Sequence, residues 1–310
     1  MLYPELAHKK IFLTGGTGFF GKSILAALKN GILPHTEFII LSRDPEKFAK
    51  QYPELTGLSN VRFHAGDVRD FVFPEEPFDM IFHAATPAVT TLPPGEMRSI
   101  ILDGTRRVLN FAQKCGAEKL LLTSSGAVYG PQPPDVENIP EDHPCKPVTE
   151  YGIAKLEAEK MCAESGIYTL LPRCFAFCGP YLALDIHFAI GNFIRNGLRN
   201  EPIAIQGDGR PYRSYMAADD LVHWLFTILA KGEHARPYNV GSPEGLSIAE
   251  LARFVAAQFT PAPEVTIALP PGDGPAPRYV PNVSRAQQEL GLDLQISLTE
   301  CIRQVIAFHR

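Results

Sequence analysis

The sequence predicts an α/β fold: a doubly wound parallel sheet with a smaller carboxy-terminal substrate lobe. Two observations predict it. Short apolar runs alternate with helix-like segments in the first half of the chain, and a glycine-rich turn follows the first of these runs. A length of 310 residues allows either one large α/β unit or a core domain with a separate lobe.

The predicted parallel strands are six short apolar runs. They cover residues 10–14, 38–41, 61–64, 80–83, 120–124 and 168–172. Helix-like segments lie between them, which is the pattern of a parallel sheet with crossover helices.

The rhythm changes from Phe175 onward, where glycine, proline and aromatic residues become frequent. We expect a helix over residues 188–198, an amphipathic helix over 219–230 that returns to the first domain, and extended irregular chain over the proline-rich 261–281. The predicted dinucleotide-binding domain is residues 1–176 with 214–241, and the substrate lobe is 177–213 with 242–310.

Composition favours a small-molecule partner. The net charge is −5 and the pI is near 6.0, without a dense Lys/Arg block, which argues against binding to nucleic acid or a membrane surface. The six cysteines show no C-x-x-C spacing, and no apolar run approaches the roughly 18 to 20 residues of a membrane span. We expect a reduced, cytoplasmic protein without a structural metal.

The glycine turn runs Thr14-Gly15-Gly16-Thr17-Gly18-Phe19-Phe20-Gly21. Gly15 permits a tight turn, Gly18 lets a pyrophosphate approach the backbone, and Gly21 allows a helix to pack closely. The turn follows a β-like run and opens a helix-like segment, which is the context that dinucleotide binding of the Rossmann type requires. Thr17, Phe19 and Phe20 are therefore predicted to contact the cofactor as well; the alternative for the two phenylalanines is that they anchor the first helix.

A second motif is Tyr151-Gly152-Ile153-Ala154-Lys155. On a helix, residues four apart share a face, so the Lys155 ammonium is expected near the Tyr151 phenol. A nearby positive charge favours the phenolate. The pair predicts a tyrosine that exchanges a proton near neutral pH.

With these motifs in view, the chain resembles the extended short-chain dehydrogenase/reductase family, which contains nucleotide-sugar epimerases, dehydratases and 4-keto reductases. Nearly all of the chain shares the resemblance. Besides the glycine turn and the Tyr151/Lys155 pair, it rests on Gly66-Asp67-Val68, His83-Ala84-Ala85 and the run Ser124-Ser125-Gly126-Ala127-Val128-Tyr129-Gly130.

The resemblance implies roles for individual residues. Ser125 would hold the reacting sugar oxygen, Tyr151 would exchange its proton, and Lys155 would also bind the nicotinamide ribose. The remaining cofactor contacts that it implies are Asp67 and Val68 beside the adenine, and Ala84, Ala85, Thr86 and Thr123 along the cleft.

Four residues in addition to Ser125 are predicted to bind the substrate. Arg213, within 207–215, matches a family arginine that binds the nucleotide diphosphate, a task suited to the planar guanidinium fork. Arg278 is a displaced candidate for the second diphosphate arginine. His187 and Asn192 lie in or just before the helix-like segment of the lobe, and the alternative for His187 is a histidine satisfied by local hydrogen bonds.

Departures from the family's sequence pattern limit the reactions that the chain is expected to catalyse. The 4,6-dehydratases carry an acidic pair where this chain has Gly126 and Ala127, and the sugar decarboxylases and GDP-mannose dehydratases keep a glutamate at the Ala127 position. Two frequent family asparagines are replaced by Ala176 and Ile101. We therefore expect hydride transfer without elimination.

The residues that distinguish NAD from NADP(H) are expected at the end of the second strand, Leu41-Ser42-Arg43-Asp44. A small hydroxyl at Ser42 followed by the Arg43 cation suits the 2′-phosphate of NADP(H). The alternative is NAD, bound through Asp44.

The predicted function is that of an NAD(P)-dependent nucleotide-sugar oxidoreductase acting at C4, with a 4-keto reductase ahead of a 4-epimerase. One alternative is an NADPH-dependent reductase of a non-nucleotide carbonyl compound, for which Arg213 has no clear purpose. Another is a cofactor-sensing protein without turnover. The family also implies a homodimer, with Leu102, Val108 and Leu109 as apolar contacts between helices of two subunits; the alternative is that these side chains only cover the sheet.

Overall fold

The chain divides into two structural units. The computed structural model describes residues 3–87, 92–93, 95–185 and 188–310. The first unit comprises Met1–Gly130, Cys145–Cys174 and Val222–Tyr238, and the second comprises Pro131–Pro144, Phe175–Leu221 and Asn239–Arg310. The domain boundaries expected from the sequence stay a prediction.

A parallel sheet dominates the first unit. Its strands are β1 (Lys10–Thr14), β2 (Glu37–Ser42), β3 (Val61–Ala65), β4 (Met80–His83), β5 (Lys119–Leu122), β6 (Ser124–Ser125) and β7 (Tyr168–Cys174), and β12 (Pro237–Val240) completes it. The strand order is β3-β2-β1-β4-β5-β7-β12, with β6 paired to β7. The pairs from β3 through β7 are parallel. This order reverses between β1 and β4, as in a doubly wound sheet, and confirms the predicted fold class.

Helices connect the strands. They are α1 (Phe19–Lys29), α2 (Pro45–Gln51), α3 (Glu96–Cys115) and α4 (Glu150–Ala163), and α6 (Ala218–Lys231) precedes β12. Thr149 caps α4 by accepting a hydrogen bond from the Gly152 amide at 3.1 Å. Among the described residues, no helix combines the length and apolar character needed to cross a membrane.

The predicted fifth strand is interrupted. β5 ends at Leu122, and Ser124–Ser125 pairs with β7 as the separate strand β6. The chain then turns into a short 3₁₀ helix, Gly126–Tyr129, which Ser125 caps through its hydroxyl oxygen. Ser125 therefore lies where a strand changes into a helical turn.

The hydrophobic core under α3 and α4 is built from one face of the sheet. It includes Phe12, Ile39, Leu120 and Leu171 from the strands, and the α3 residues Leu102, Val108 and Leu109. The prediction that these last three residues contact a second subunit is wrong, because each is buried inside its own chain. Burial of such side chains stabilises the unit by roughly 1.5 to 3 kcal/mol each.

The second unit contains short strands and helices. Its strands are β8 (Phe177–Cys178), β9 (Ile203–Ile205), β10 (Tyr212–Arg213), β11 (Met216–Ala217), β13 (Leu246–Ser247), β14 (Val265–Ile267) and β15 (Arg278–Tyr279). Its helices are α5 (Ala189–Leu198), α7 (Ile248–Ala256), α8 (Ser284–Leu290) and α9 (Leu298–His309).

The proline-rich segment of the second unit is more regular than predicted. β14 pairs with β9, and β15 pairs with β10. Both strands lie in proline-free runs, and the β-branched residues of Val265–Ile267 favour extended chain. The expectation of irregular chain holds for residues 261–264 and for the exposed stretch between these strands.

Candidate active site

The glycine turn between β1 and α1 is packed too tightly for side chains. Gly15 has φ +75°, and a Cβ atom there would lie 2.4 Å from the Ala84 carbonyl oxygen. A Cβ on Gly21 would lie 2.2 Å from the Gly16 backbone, and one on Gly16 would lie 2.2 Å from Ile40 Cγ2. Sequence reasoning gave Gly16 no role, although it is the point where the turn rests on the sheet.

Gly18 serves a different purpose. It is exposed, it is the residue before α1, and the nearest atom to a Cβ there is the Gly15 carbonyl oxygen at 3.4 Å. No side chain caps α1, and its first turn contains no acidic residue. Free amides and the positive end of the helix dipole suit an anion, so this turn fits the pyrophosphate of a dinucleotide.

The neighbours of Gly18 frame the same helix end. Thr17 is partly buried, and Phe19 and Phe20 start α1 as partly buried side chains. Their rings meet edge to face, with centroids 5.9 Å apart. The aromatic pair therefore lies beside the helix end that would receive the pyrophosphate.

The turn after β2 carries an exposed arginine and a carboxylate that caps the next helix. Ser42 is buried, and its hydroxyl oxygen accepts a hydrogen bond from the Asp44 amide at 3.3 Å. Asp44 caps α2, because its Oδ1 accepts from the Lys47 amide at 2.9 Å. The Arg43 side chain is exposed.

Asp67 and Val68, after β3, have different surroundings. Arg69 donates to both carboxylate oxygens of Asp67, from Nε at 2.8 Å and from a terminal nitrogen at 3.2 Å. These hydrogen bonds, with a smaller contribution from the charge of Arg43, hold the pKa of Asp67 below its usual value. Val68 is buried and lies against Gly104, where a Cβ would meet its Cγ1 at 3.0 Å.

The segment after β4 is fixed on two sides. The Ala84 amide donates to the Thr14 carbonyl at 3.1 Å, and the Ala85 amide donates to the Thr14 hydroxyl oxygen at 3.2 Å. On the other side, the Thr123 amide donates to the His83 carbonyl at 3.0 Å. The loop that begins with Ala84 and Ala85 is thus held between β1 and β5.

Ser125 and Tyr151 are brought together at the carboxyl end of the sheet. The hydroxyl oxygen of Ser125 accepts a hydrogen bond from the Ala127 amide at 3.2 Å, and the Ser125 hydroxyl lies close enough to the Tyr151 phenol to lower its pKa. Gly152 allows this approach, because a Cβ there would lie 2.6 Å from the Ala127 carbonyl oxygen.

Lys155 is 3% exposed, and its ammonium has two acceptors. Nζ donates to the Thr86 hydroxyl at 2.7 Å and to the Thr123 carbonyl at 2.8 Å. It lies 5.9 Å from the centroid of the Tyr151 ring. Burial lowers the pKa of Lys155 to about 8.

The pKa of Tyr151 shifts opposite to the prediction. Although part of the residue is exposed, protein atoms surround the phenol, and burial raises its pKa to about 12 against a smaller lowering by the Ser125 hydrogen bond. The Lys155 ammonium points to Thr86 and Thr123 rather than to the phenol oxygen. In this arrangement Tyr151 is a protonated acid at neutral pH.

A buried ion pair lies behind Ser125. Arg173 donates to both Glu159 oxygens, from Nε at 3.0 Å and from a terminal nitrogen at 2.8 Å, and to the Tyr129 hydroxyl at 3.0 Å. Ser124 donates to the same carboxylate. Sequence reasoning missed this pair, but the spacing gave a signal: Glu159 follows Lys155 by four residues and shares its helix face.

The two predicted diphosphate arginines point away from each other. They sit on paired strands of the second unit, with Arg213 opposite Tyr279 and Arg278 opposite Tyr212. The Arg213 guanidinium lies over Tyr279 at 5.8 Å, and that of Arg278 lies over Tyr212 at 4.4 Å. Because successive strand residues face opposite sides, the arginines occupy opposite faces.

The other contacts of the two arginines differ. Arg278 Nε donates to the Glu137 carbonyl at 3.1 Å, whereas an Arg213 terminal nitrogen donates to the carbonyl of the adjacent Tyr212 at 2.8 Å. Asn192 lies in the first turn of α5 and is partly buried. His187 lies outside the described residues.

Comparison with known proteins agrees with the arrangement of the sheet and the glycine turn. The model of the NAD-dependent epimerase/dehydratase family matches residues 11–241. The chain belongs to this family. The match extends from β1 to the end of β12, and so includes the glycine turn and the Tyr151/Lys155 pair.

Curated relatives of this family member include UDP-glucuronic acid decarboxylases. UDP-glucuronic acid decarboxylase 1 of Arabidopsis thaliana is 29% identical, over 97% of this chain and 70% of the relative. UDP-glucuronic acid decarboxylase 1 of Xenopus tropicalis is 27% identical, over 99% of this chain and 73% of the relative.

Solved structures share the fold at lower identity. UDP-glucose 4-epimerase of Thermotoga maritima, determined with UDP-glucose, has a TM-score of 0.82 at 22% identity, covering 97% of this chain and 98% of that one. dTDP-glucose 4,6-dehydratase of Bacillus anthracis, in complex with NAD, has a TM-score of 0.80 at 17% identity, covering 97% and 96%.

The glycine turn gives a stability test with an internal control. Helix propensity alone would make Gly21→Ala favourable by about 1 kcal/mol, but the clash with the Gly16 backbone is expected to reverse the sign and cost about 3 kcal/mol. Gly18→Ala has room and should stay within about 1 kcal/mol of the wild type. Denaturant unfolding measures both variants, and equal stability of the two would contradict the packing described here.

His83 gives a test of pH dependence. Burial, aided by the Lys155 charge, lowers its pKa to about 3, whereas a histidine in the unfolded chain titrates near 6.5. As the pH falls below about 6.5 the unfolded chain binds a proton that the folded chain does not, so stability is lost. Relative to His83→Gln, the wild type should lose about 2 kcal/mol between pH 6.5 and pH 5. Parallel curves of unfolding free energy against pH would refute the burial of a neutral imidazole.

Proposed function

We propose that the chain is an NAD(P)-dependent nucleotide-sugar oxidoreductase that moves a hydride at a sugar ring carbon, with C4 as the carbon. The observation that carries the proposal is the Ser125 hydroxyl beside the Tyr151 phenol at the carboxyl end of the sheet, where position 127 offers only a methyl group. The pair can hold and protonate a sugar oxygen, and no carboxylate follows Ser125 to remove a second proton.

The chemistry assigned to the residues follows from their contacts. A nicotinamide cofactor, when bound, supplies or accepts the hydride. Ser125 and Tyr151 would each donate a hydrogen bond to the reacting oxygen, and Tyr151 would transfer its proton as charge develops there. Lys155 would hold the nicotinamide ribose with its buried ammonium.

The direction proposed is reduction of a 4-keto sugar. A phenol with a pKa of about 12 is a proton donor at neutral pH, as the reduction of a ketone requires. The second candidate is a 4-epimerase, favoured by the NAD dependence of the family and by the fold shared with UDP-glucose 4-epimerase. An epimerase would use the same three residues in both directions.

Decarboxylation, the activity named for the curated relatives, is not the reaction proposed here. The decarboxylases of the resembled family keep a glutamate at the position of Ala127. The Ala127 amide hydrogen-bonds Ser125, and its carbonyl packs against Gly152. The alanine methyl group has no ionisable atom, so position 127 supplies neither an acid nor a base.

Arg213 is the residue proposed to bind the substrate diphosphate. The guanidinium offers a planar set of donors for phosphate oxygens. It lies over the ring of Tyr279, which is on the paired strand β15 and on the same face of the two strands. Arg278 is the weaker candidate, because it is displaced along the sequence from the family's second diphosphate arginine and its guanidinium lies 3.9 Å from the Glu137 carboxylate. We propose His187 and Asn192 as further substrate contacts on the family resemblance alone.

NADP(H) is the proposed cofactor, with NAD as the alternative. Asp44, which would bind the ribose hydroxyl of NAD, already accepts the Lys47 amide as the cap of α2. Arg43 is exposed, and its cation suits a 2′-phosphate. A preference for NADP(H) would differ from the NAD dependence that describes the family.

The central test is Tyr151→Phe, which removes the proton donor and keeps the ring. Cofactor affinity should stay within a few fold, and turnover of a nucleotide sugar should fall by roughly a hundredfold or more. Nicotinamide absorbance in single-turnover experiments measures hydride transfer. Tyr168→Phe, at a tyrosine that is 42% exposed, is the matched control. Near-normal turnover of Tyr151→Phe would remove the proposed role.

The cofactor test is Arg43→Ala. Loss of a cation that meets the 2′-phosphate should weaken NADPH binding far more than NADH binding. Fluorescence titrations of both cofactors, side by side, give the two affinities. Lys50→Ala, at an exposed cation of α2, is the control and should change neither. Equal losses for Arg43→Ala would return the site to NAD.

We propose a homodimer built on α3 and α4. The residues available to a partner are those outside the core, among them Ile153, which is 38% exposed, and the exposed ion pair Asp103–Arg106. Ile153→Glu should shift the molecular mass measured by light scattering towards that of a monomer. Val72→Glu, at a position 77% exposed outside both helices, should leave it unchanged. A monomeric wild type would reject the proposal.

A further inference from the structure

A buried chain of hydrogen bonds runs through His83. Its Nδ1 lies 2.7 Å from the Thr14 hydroxyl oxygen, and its Nε2 lies 3.2 Å from the Thr105 hydroxyl oxygen. The chain continues at both ends. The Ala85 amide donates to the Thr14 oxygen at 3.2 Å, and the Thr105 hydroxyl lies 2.6 Å from the Ile101 carbonyl.

One assignment of the protons gives every polar group in this chain a partner. The Ile101 carbonyl only accepts, so the single proton of the Thr105 hydroxyl points to it. Thr105 therefore accepts from His83, and Nε2 carries the imidazole proton. Nδ1 must then accept the Thr14 proton, while the Thr14 oxygen accepts from the Ala85 amide. One neutral tautomer satisfies all five groups.

The imidazolium would break this order. A second proton on Nδ1 would turn it into a donor towards Thr14, and the Thr14 proton would lose its acceptor. His83, Thr14 and Thr105 are all buried, so an unmade hydrogen bond there is costly. The segment after β4 is consequently held by a single hydrogen-bonding pattern.

Both residues that accept from the Lys155 ammonium are connected to His83 through hydrogen bonds. Thr86 follows Ala85, whose amide is the first donor of the chain. Thr123, whose carbonyl is the other acceptor, donates from its amide to the His83 carbonyl at 3.0 Å and from its hydroxyl at 3.3 Å. The His83 side chain is thus linked to the segment that carries Thr86, and the His83 carbonyl is hydrogen-bonded to Thr123.

We propose that His83 is a positioning residue: as the neutral Nε2–H tautomer it fixes Ala85 and Thr86, and through them sets the location of the Lys155 ammonium. It touches neither substrate nor cofactor itself. The inference rests on the proposed function only where it assigns Lys155 to the nicotinamide ribose.

The first test uses the wild-type protein and needs no substitution. Nitrogen NMR of the full chain, labelled at histidine, should show His83 with a protonated Nε2 and a bare Nδ1 at neutral pH, before any cofactor is added. The opposite tautomer, an imidazolium, or rapid exchange between tautomers would overturn the proposal.

The second test compares three isosteric or near-isosteric threonine variants. Thr105→Val removes the acceptor of Nε2 and should weaken NADP or NAD binding by about tenfold, the effect of leaving one buried donor unpaired. Thr105→Ser keeps the hydroxyl and should restore affinity. Thr169→Val is the matched control, because Thr169 Oγ1 is buried on β7 without a hydrogen-bond partner among the described residues, and it should change nothing.

The outcomes separate the inference from the proposed function. Equal cofactor affinities for Thr105→Val and Thr169→Val would refute positioning by His83, whatever the stability of the two variants. Cofactor binding and the NMR signature do not require a sugar substrate. If both follow the prediction while no nucleotide sugar reacts, the positioning role stands and the proposed function fails.

Discussion

The turn after β1 and the segment after β4 approach so closely that Gly15 has no space for a side chain against Ala84. This approach occurs where the strand order reverses, the place at which doubly wound sheets bind their ligands. It joins the helix end suited to a pyrophosphate to the loop that carries Thr86. The rest of the site depends on this contact, because a shift of either segment would separate the two halves of a dinucleotide site.

Buried charge is the second constraint. Lys155 keeps its ammonium with two neutral acceptors, whereas Arg173 and Glu159 are paired and further hydrogen-bonded by Tyr129 and Ser124. Removing one member of a buried ion pair lowers the free energy of unfolding by roughly 3 to 5 kcal/mol. The pair thus anchors α4 to β7 and the Ser124–Ser125 strand. The pKa of the Tyr151 phenol is set by burial rather than by the Lys155 charge.

The sheet was predictable because its strands are short apolar runs between helices, and the predicted bounds of β1 and β4 agree with the observed ones. The glycine turn and the Tyr151/Lys155 spacing also led to the family. Other features depend on three-dimensional surroundings: the raised pKa of Tyr151 comes from burial, and the opposite faces of Arg213 and Arg278 come from strand register. Spacing on a helix says which residues are neighbours, but not which acceptor an ammonium selects.

Product analysis tests the central claim, hydride transfer without elimination or decarboxylation, most directly. The purified protein with nicotinamide cofactor would be incubated with UDP-, dTDP-, GDP- and CDP-linked hexoses, their 4-keto derivatives and UDP-glucuronic acid, and the products identified by NMR spectroscopy and mass spectrometry. The account predicts a sugar inverted or reduced at a ring carbon that keeps all of its carbon and oxygen atoms. Loss of water, or release of carbon dioxide from UDP-glucuronic acid, would contradict it.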